Sequence, residues 1–208
     1  HPWIYRNQIE RIDGPVSDGD AVDVADNRGR YLGTGLYNNR SMITIRLVSR
    51  RHEPVDEALI RSRVRAAIEH RRLFKRDDTD CCRLIFAEAD RLPGIIADQF
   101  GSVVVLQNLS LGMERFLPAI ADEIRIQVEP RSIILKNDDV IREKEGLPLE
   151  YRTVHGPAVE ESVILERGVR LIVDLRGGQK TGYFLDQKAN HAYVANFTAG
   201  RKVLDCFT

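Results

Sequence analysis

The chain has 208 residues, of which 43% are hydrophobic and 30% charged, a composition that supports a sizeable core and excludes a disordered polymer. No run approaches the roughly 18 apolar residues of a spanning helix, and the start, His1-Pro2-Trp3-Ile4-Tyr5-Arg6, lacks the basic-then-apolar layout of an export signal. Lys+Arg and Asp+Glu are equal at 31 each, yet residues 40–76 carry eleven basic and four acidic side chains, a local basic block that points to a polyanion surface on one module.

The first fifty residues read as short strands separated by turns. Gly14-Pro15, Asp18-Gly19-Asp20, Asn27-Arg28-Gly29 and Tyr37-Asn38-Asn39 punctuate β-like runs such as Ala21 to Val24 and Met42 to Val48. The pattern predicts a small β-barrel with a hairpin loop at Asp26 to Arg30. Gly33 and Gly35 then mark a bulge or a close backbone approach.

From Pro54 the period changes. Val55, Leu59, Ile60, Val64, Ala67, Ile68 and Leu73 recur every three or four residues, which predicts a helix to about Phe74 with Pro54 at its first position. Its polar face carries Arg61, Arg63, Arg65, Arg71 and Arg72, and Asp77-Asp78-Thr79-Asp80 reads as a linker. A second module follows, with β-like runs at 83–88, 94–98 and 102–107, a helix at 111–128 and a further run at 132–136. Two runs flanking Arg167-Gly168 read as a hairpin. After Gly177-Gly178 come a loop, a helix from about Asp186 to Thr198, and an apolar run from Val203 to Cys206 of the kind that opens a nucleotide-binding α/β sheet. Because the chain begins without Met and stops in this run, it is expected to be a piece of a longer protein.

Candidate chemistry is sparse. Arg176-Gly177-Gly178-Gln179-Lys180-Thr181-Gly182 departs from a phosphate-cradling loop, because Gln179 replaces the glycine required before Lys-Thr. The stretch Gln179 to Gln187 combines Gly182 with two aromatics, Tyr183 and Phe184, and suits either a loop laid across a flat ligand or a plain connection. Asp205 fits a ribose hydroxyl or a helix cap. The three cysteines, Cys81, Cys82 and Cys206, make neither a disulfide framework nor a metal-ligand spacing, and packing is the expected role of Cys206. A reducing cytoplasm is the default compartment. The five histidines form no pairing suited to a metal.

Three stretches together carry a family resemblance: Glu88-Ala89-Asp90-Arg91-Leu92-Pro93-Gly94-Ile95-Ile96-Ala97-Asp98-Gln99-Phe100-Gly101; Gly112-Met113-Glu114-Arg115; and Gly177 to Gln187, followed by Val203 to Thr208. They resemble the bacterial large-subunit ribosomal RNA cytosine-5 methyltransferases that carry an N-terminal PUA domain. Residues 1–38 are similar to that PUA module, and the resemblance spans nearly the whole chain. It implies a mixed fold in three parts: a PUA-like β-barrel with its basic helix at 1–76, a central α+β domain (strand-strand-helix-strand-strand) at 77–176, and at 177–208 the first helix and strand of a Rossmann-like domain binding S-adenosylmethionine. It also implies that Lys180, Thr181, Gly182, Tyr183, Phe184 and Asp205 line the cofactor, with Tyr183 standing where Phe is frequent. Ribosomal RNA is the implied partner. Arg46, Arg50, Arg51, Arg61, Arg65 and Arg72 are its expected contacts, and self-association into a homodimer is left open. The family's catalytic cysteine lies further along than Thr208, so no catalytic residue is assigned here and the segment alone is expected to be inactive. Methylation of another RNA or base, and a non-catalytic RNA-binding adaptor, are the alternatives.

Overall fold

In the computed structural model, which describes residues 2–204 and 206, the N-terminal part is an antiparallel sheet of four strands. These are β1 (Trp3–Tyr5), β2 (Ala21–Ala25), β3 (Tyr31–Tyr37) and β4 (Ile43–Ser49), in the order β1-β4-β3-β2. The hairpin between β2 and β3 closes on Asp26, whose carboxylate accepts the Arg28 and Arg30 amides at 3.0 and 2.9 Å. Gly33 adopts φ +152°, and a Cβ there would collide with the Ser49 carbonyl, beside a register shift between Thr34 and Gly35. Glycine therefore lets β3 and β4 close up where the strand bends. Among the described residues the ladder stays open, since β1 and β2 do not pair.

Helix α1 (Glu57–Arg72) starts later than Pro54 suggests, because Asp56 is the cap and its carboxylate accepts the Leu59 amide at 2.9 Å. Its apolar stripe of Ile60, Val64, Ala67 and Ile68 is buried. The stripe faces a five-stranded sheet rather than the N-terminal strands. That sheet holds β5 (Cys81–Phe86), β6 (Ile95–Phe100), β7 (Val103–Asn108), β8 (Ser132–Asn137) and β9 (Glu150–His155), in sequential order, with only β7 and β8 parallel. Helix α2 (Leu117–Val128) makes the crossover that a parallel pair requires. By its contacts α1 thus belongs to the central unit, and the division after residue 76 cuts through one core. The central unit also departs from the expected strand-strand-helix-strand-strand order, with three strands before α2 and two after it. The short helix α3 (Ile141–Glu145) and the edge strand β9 were not anticipated by the sequence reading.

The sheet is covered on both faces. One face, with Leu84, Ile95, Val104, Leu106, Ile133 and Leu135, packs against α1, α2 and Leu36 and Val48 of the N-terminal sheet. The other, with Phe100, Val103, Val105 and Ile134, packs against Ile164 and Val173 of a hairpin made by β10 (Glu161–Glu166) and β11 (Val169–Asp174). Arg167 and Gly168 at its tip both take positive φ, +48° and +80°, as a two-residue turn of matching twist requires. The expected linker at Asp77 to Asp80 is instead a strap on this hairpin: Asp80 exchanges hydrogen bonds with Leu165, and Gly168 donates to the Asp78 carbonyl at 2.9 Å. Backbone tied in this way has few free groups, so it does not behave as an open linker.

Helix α4 (Lys188–Ala195) is shorter than expected. Val203 and Leu204 are exposed and outside any strand, because no strand among the described residues lies beside them to complete a ladder. Cys206 is exposed rather than packed, and Asp205 lies outside the described residues. Among the described residues no helix is long and apolar enough to cross a membrane.

Candidate functional site

The segment from Asp174 to Gln187 runs across the second face of the five-stranded sheet and is fastened at several points. At its start the Asp174 carboxylate accepts the amides of Gly177 and Arg176 at 2.7 and 2.9 Å, and these backbone bonds, that of Gly177 foremost, hold the carboxyl below its ordinary range. Gly178 follows where a Cβ would strike the Asp174 carbonyl, so only glycine fits this turn. Its own carbonyl accepts a 2.6 Å hydrogen bond from Lys136 Nζ, on β8. Burial pushes the Lys136 ammonium below its usual pKa, and that hydrogen bond gives the buried charge a partner.

The second fastening joins two of the stretches singled out in the sequence. Asp98 of β6 is fully buried, and its carboxylate accepts both prongs of Arg83 at 2.8 and 2.9 Å and the Thr181 hydroxyl at 2.6 Å. Thr181 is buried with it. Further on, Leu185 enters the apolar cluster and Lys188 donates to the Cys81 carbonyl at 2.7 Å.

What the segment turns outward is therefore limited. Lys180 takes φ +55° and places its ammonium 5.1 Å from the centre of the Phe184 ring, which is 38% exposed. Tyr183 packs against the apolar cluster, with its hydroxyl 3.2 Å from His191 Nδ1, and burial followed by the Glu166 charge pushes its pKa up to about 12. Of the residues expected to line a cofactor, Lys180 and Phe184 are exposed, Gly182 and Tyr183 are half-buried against the hairpin and the apolar cluster, and the Thr181 side chain points into the sheet. Lys136 and Asp98 were missed by sequence reasoning, since each acts across a long stretch of chain.

The two central thiols, Cys81 and Cys82, carry no activation. Burial raises Cys81 to about 11 and also raises Cys82, opposite to what a nucleophile needs. Among the described residues no cluster of His, Cys, Asp and Glu has metal-binding geometry.

The expected RNA contacts fare differently. Arg46 is 8% exposed and spends its guanidinium on Glu145 at 2.9 Å and Glu88 at 3.5 Å. Arg61 pairs with Asp122 at 2.8 Å, Arg65 with the buried Glu123 at 3.1 Å, and Arg72 donates to the Gln127 carbonyl. Arg125 and Arg61 in turn hold the Asp122 carboxyl below its usual range. The basic face of α1 is thus largely neutralised by α2, and of the six arginines Arg50 and Arg51 are exposed with no side-chain partner among the described residues. Arg65→Glu, which sets a like charge on buried Glu123, is expected to lower Tm by about 5 °C. Arg65→Gln should leave RNA affinity within about twofold, as read by fluorescence anisotropy; a large loss with Gln would return this face to the RNA footprint.

Residues 1–50 match the PUA-like domain family. Over its full length the chain is 37% identical to the Ribosomal RNA large subunit methyltransferase I of Aeromonas salmonicida, of which it covers 53%. It is also 37% identical to the protein of the same name from Klebsiella pneumoniae, again covering 53%. The chain spans about half the length of the curated relatives it matches. Its fold is shared with a solved Streptococcus mutans protein described as a candidate SAM-dependent methyltransferase, at TM-score 0.77 and 19% identity, over 95% of this chain and 50% of that one. A second structure of like similarity, TM-score 0.77 over 94% of this chain and 49% of that one, is described as a candidate methyltransferase complexed with SAH.

Proposed function

We propose that this chain is the RNA-facing part, and one wall of the cofactor site, of an S-adenosylmethionine-dependent methyltransferase that modifies large-subunit ribosomal RNA at C5 of a cytosine. The observation that carries the reading is the match over the whole of this chain, about half of each relative, to proteins bearing the name of a large-subunit ribosomal RNA methyltransferase, across the N-terminal sheet, the central sheet and the fastened segment alike. The chemistry of the segment fits the cofactor. Phe184 presents a partly exposed ring on which a cofactor can pack, and Asp98 and Lys136 hold the segment still, while Gly182 allows the segment to lie close against Val173 and Asp174 of the hairpin. Asp205, outside the described residues, is assigned to the same site on its sequence position. When bound, the cofactor supplies an electrophilic methyl group. This chain's part is to hold the segment in place, to shield the sulfonium with Phe184 and to receive RNA on its other surface, while the residues acting on the base lie outside the segment.

The test is calorimetry and RNA mass analysis on the full-length protein. Phe184→Ala should weaken S-adenosylhomocysteine binding by roughly 1–3 kcal/mol, and ribosomal RNA from a deletion strain should lack one methyl group that the wild-type gene restores. Wild-type affinity in Phe184→Ala would make the segment a connector. An unchanged methylation map would remove ribosomal RNA as the substrate.

A further inference from the structure

The arginines that α2 leaves unpaired converge elsewhere. Between the end of β4, the flank of α1 and the 3-10 turn Ala87–Asp90 lies a cavity of about 280 Å³, lined among others by Arg51, Glu53, Ser62, Arg63, Asp90 and Arg91. Its carboxylates are already engaged. Asp90 accepts both prongs of Arg71 at 2.6 and 2.7 Å, and Glu53 is shared between the Ser49 hydroxyl and Arg63 at 3.6 Å. Arg63 forms the floor, 9% exposed, with Nη1 donating at 2.8 Å to the carbonyls of both Val48 and Arg91. The guanidiniums of Arg51 and Arg91 are exposed and have no hydrogen bond or ion pair among the described residues.

Three positive groups therefore face one cavity whose negative groups are already held. Burial lowers the pKa of Arg63, Glu53 opposes this, and the like charges of Arg91 and Arg51 lower it further. An arriving anion relieves that repulsion and recruits two free guanidiniums at once.

Two local features support a nucleic-acid backbone as that anion. Arg91 occupies the left-handed region, φ +58° and ψ +32°, at the end of the 3-10 turn, where glycine is the least strained residue. The backbone accepts this strain while turning a long cationic side chain to the cavity. Beside the cavity, His52 stacks on Tyr31 with ring centroids 3.6 Å apart, and the Tyr31 hydroxyl donates to the Arg51 carbonyl at 2.9 Å. The exposed His52 ring thus sits on a rigid platform next to the guanidiniums. An aromatic face beside a positive cavity is the pairing that single-stranded or looped RNA uses.

We propose that this cavity is a phosphate subsite for RNA, in which Arg51 and Arg91 bind one backbone phosphodiester, Arg63 positions them, and the Tyr31–His52 stack receives a neighbouring base. The proposal rests on the reading of the chain as RNA-binding and places the contact away from the α1 arginines.

The test is fluorescence anisotropy of the 208-residue chain with a labelled ribosomal RNA fragment containing unpaired loops, across a salt series. Arg51→Ala and Arg91→Gly should each weaken binding about tenfold. Each should also lower the slope of log affinity against log salt by close to one ion. Arg91→Gly suits the left-handed backbone, so its thermal stability should equal or exceed that of the wild type, which separates lost contact from lost fold. His52→Ala should weaken binding with no change of salt slope. Wild-type affinity in both arginine variants, or lost affinity at unchanged salt slope, would overturn the phosphate subsite. No RNA binding by the wild-type chain would instead overturn the RNA-binding reading on which it rests.

Discussion

Glu145→Ala lowers the stability of the chain by about 3–5 kcal/mol, the expected result of stranding a buried arginine. Glu145 is 3% exposed and anchors the contact between the N-terminal sheet and the central unit. One carboxylate oxygen accepts Arg46 at 2.9 Å, and the other accepts the Asn38 side-chain amide at 3.0 Å. Arg46 would keep only Glu88 at 3.5 Å and the Trp3 ring, 5.6 Å from its guanidinium carbon, while its own Nε is buried without a partner among the described residues. At roughly 2–4 °C per kcal/mol for a chain of this size, the loss reads as a Tm drop on the order of 10 °C in calorimetry. Glu145→Gln keeps one acceptor and should lose less. A drop below about 1 kcal/mol for the alanine variant would mean that water replaces the carboxylate, and that the two units are held by the apolar contacts of Leu36 and Val48 with the remaining hydrogen bonds, Trp3 to Glu88 and Arg63 to the Val48 carbonyl.

The second large effect is at Asp98. Its removal as Asp98→Ala leaves the buried Thr181 hydroxyl without an acceptor and Arg83 without its bidentate partner, at a cost of about 2–4 kcal/mol. The Arg83 side chain is 33% exposed against 10% for Arg46, so water takes over more of its lost contact and the penalty stays below that at Glu145. The more discriminating variant is Thr181→Val, which deletes one hydrogen bond and preserves shape, for about 1 kcal/mol. Both should speed amide hydrogen exchange between Gly177 and Leu185 while leaving β7 and β8 protected. Uniform acceleration across the sheet would show that Asp98 serves the core and not the segment lying on it.

These two residues also show why the sequence was legible in some places and opaque in others. The runs Val103 to Leu106 and Ile133 to Leu135 declare themselves because β7 and β8 are buried on both faces and read as unbroken apolar stretches. β9 does not, since an edge strand bearing Glu150, Arg152 and His155 looks like a polar loop until β8 is placed beside it. On α1 the period identifies the apolar stripe, but no local rule says that Asp122 and Glu123 will neutralise the opposite face, or that Arg63 will be buried because two carbonyls await it. Likewise Gly178 and Gly182 mark a tight turn from their type alone, whereas the Asp98–Thr181 and Lys136–Gly178 bonds exist only once distant strands have paired. Periodicity reports burial; partnership between charges is a property of the assembled sheet.

The burial of β7 and β8 on both faces has a geometric consequence. The arginine cavity lies with α1 and the barrel on one side, and the Phe184 wall lies on the other, so a single sheet stands between them as a fixed spacer. Packed layers are about 10 Å thick, so the separation is set by close-packed side chains rather than by a hinge. On the proposed reading such a spacer is a ruler: an RNA strand anchored by one phosphate on the first side would present only nucleotides a set number of steps away to the second, so that path length would join base identity in selecting the target.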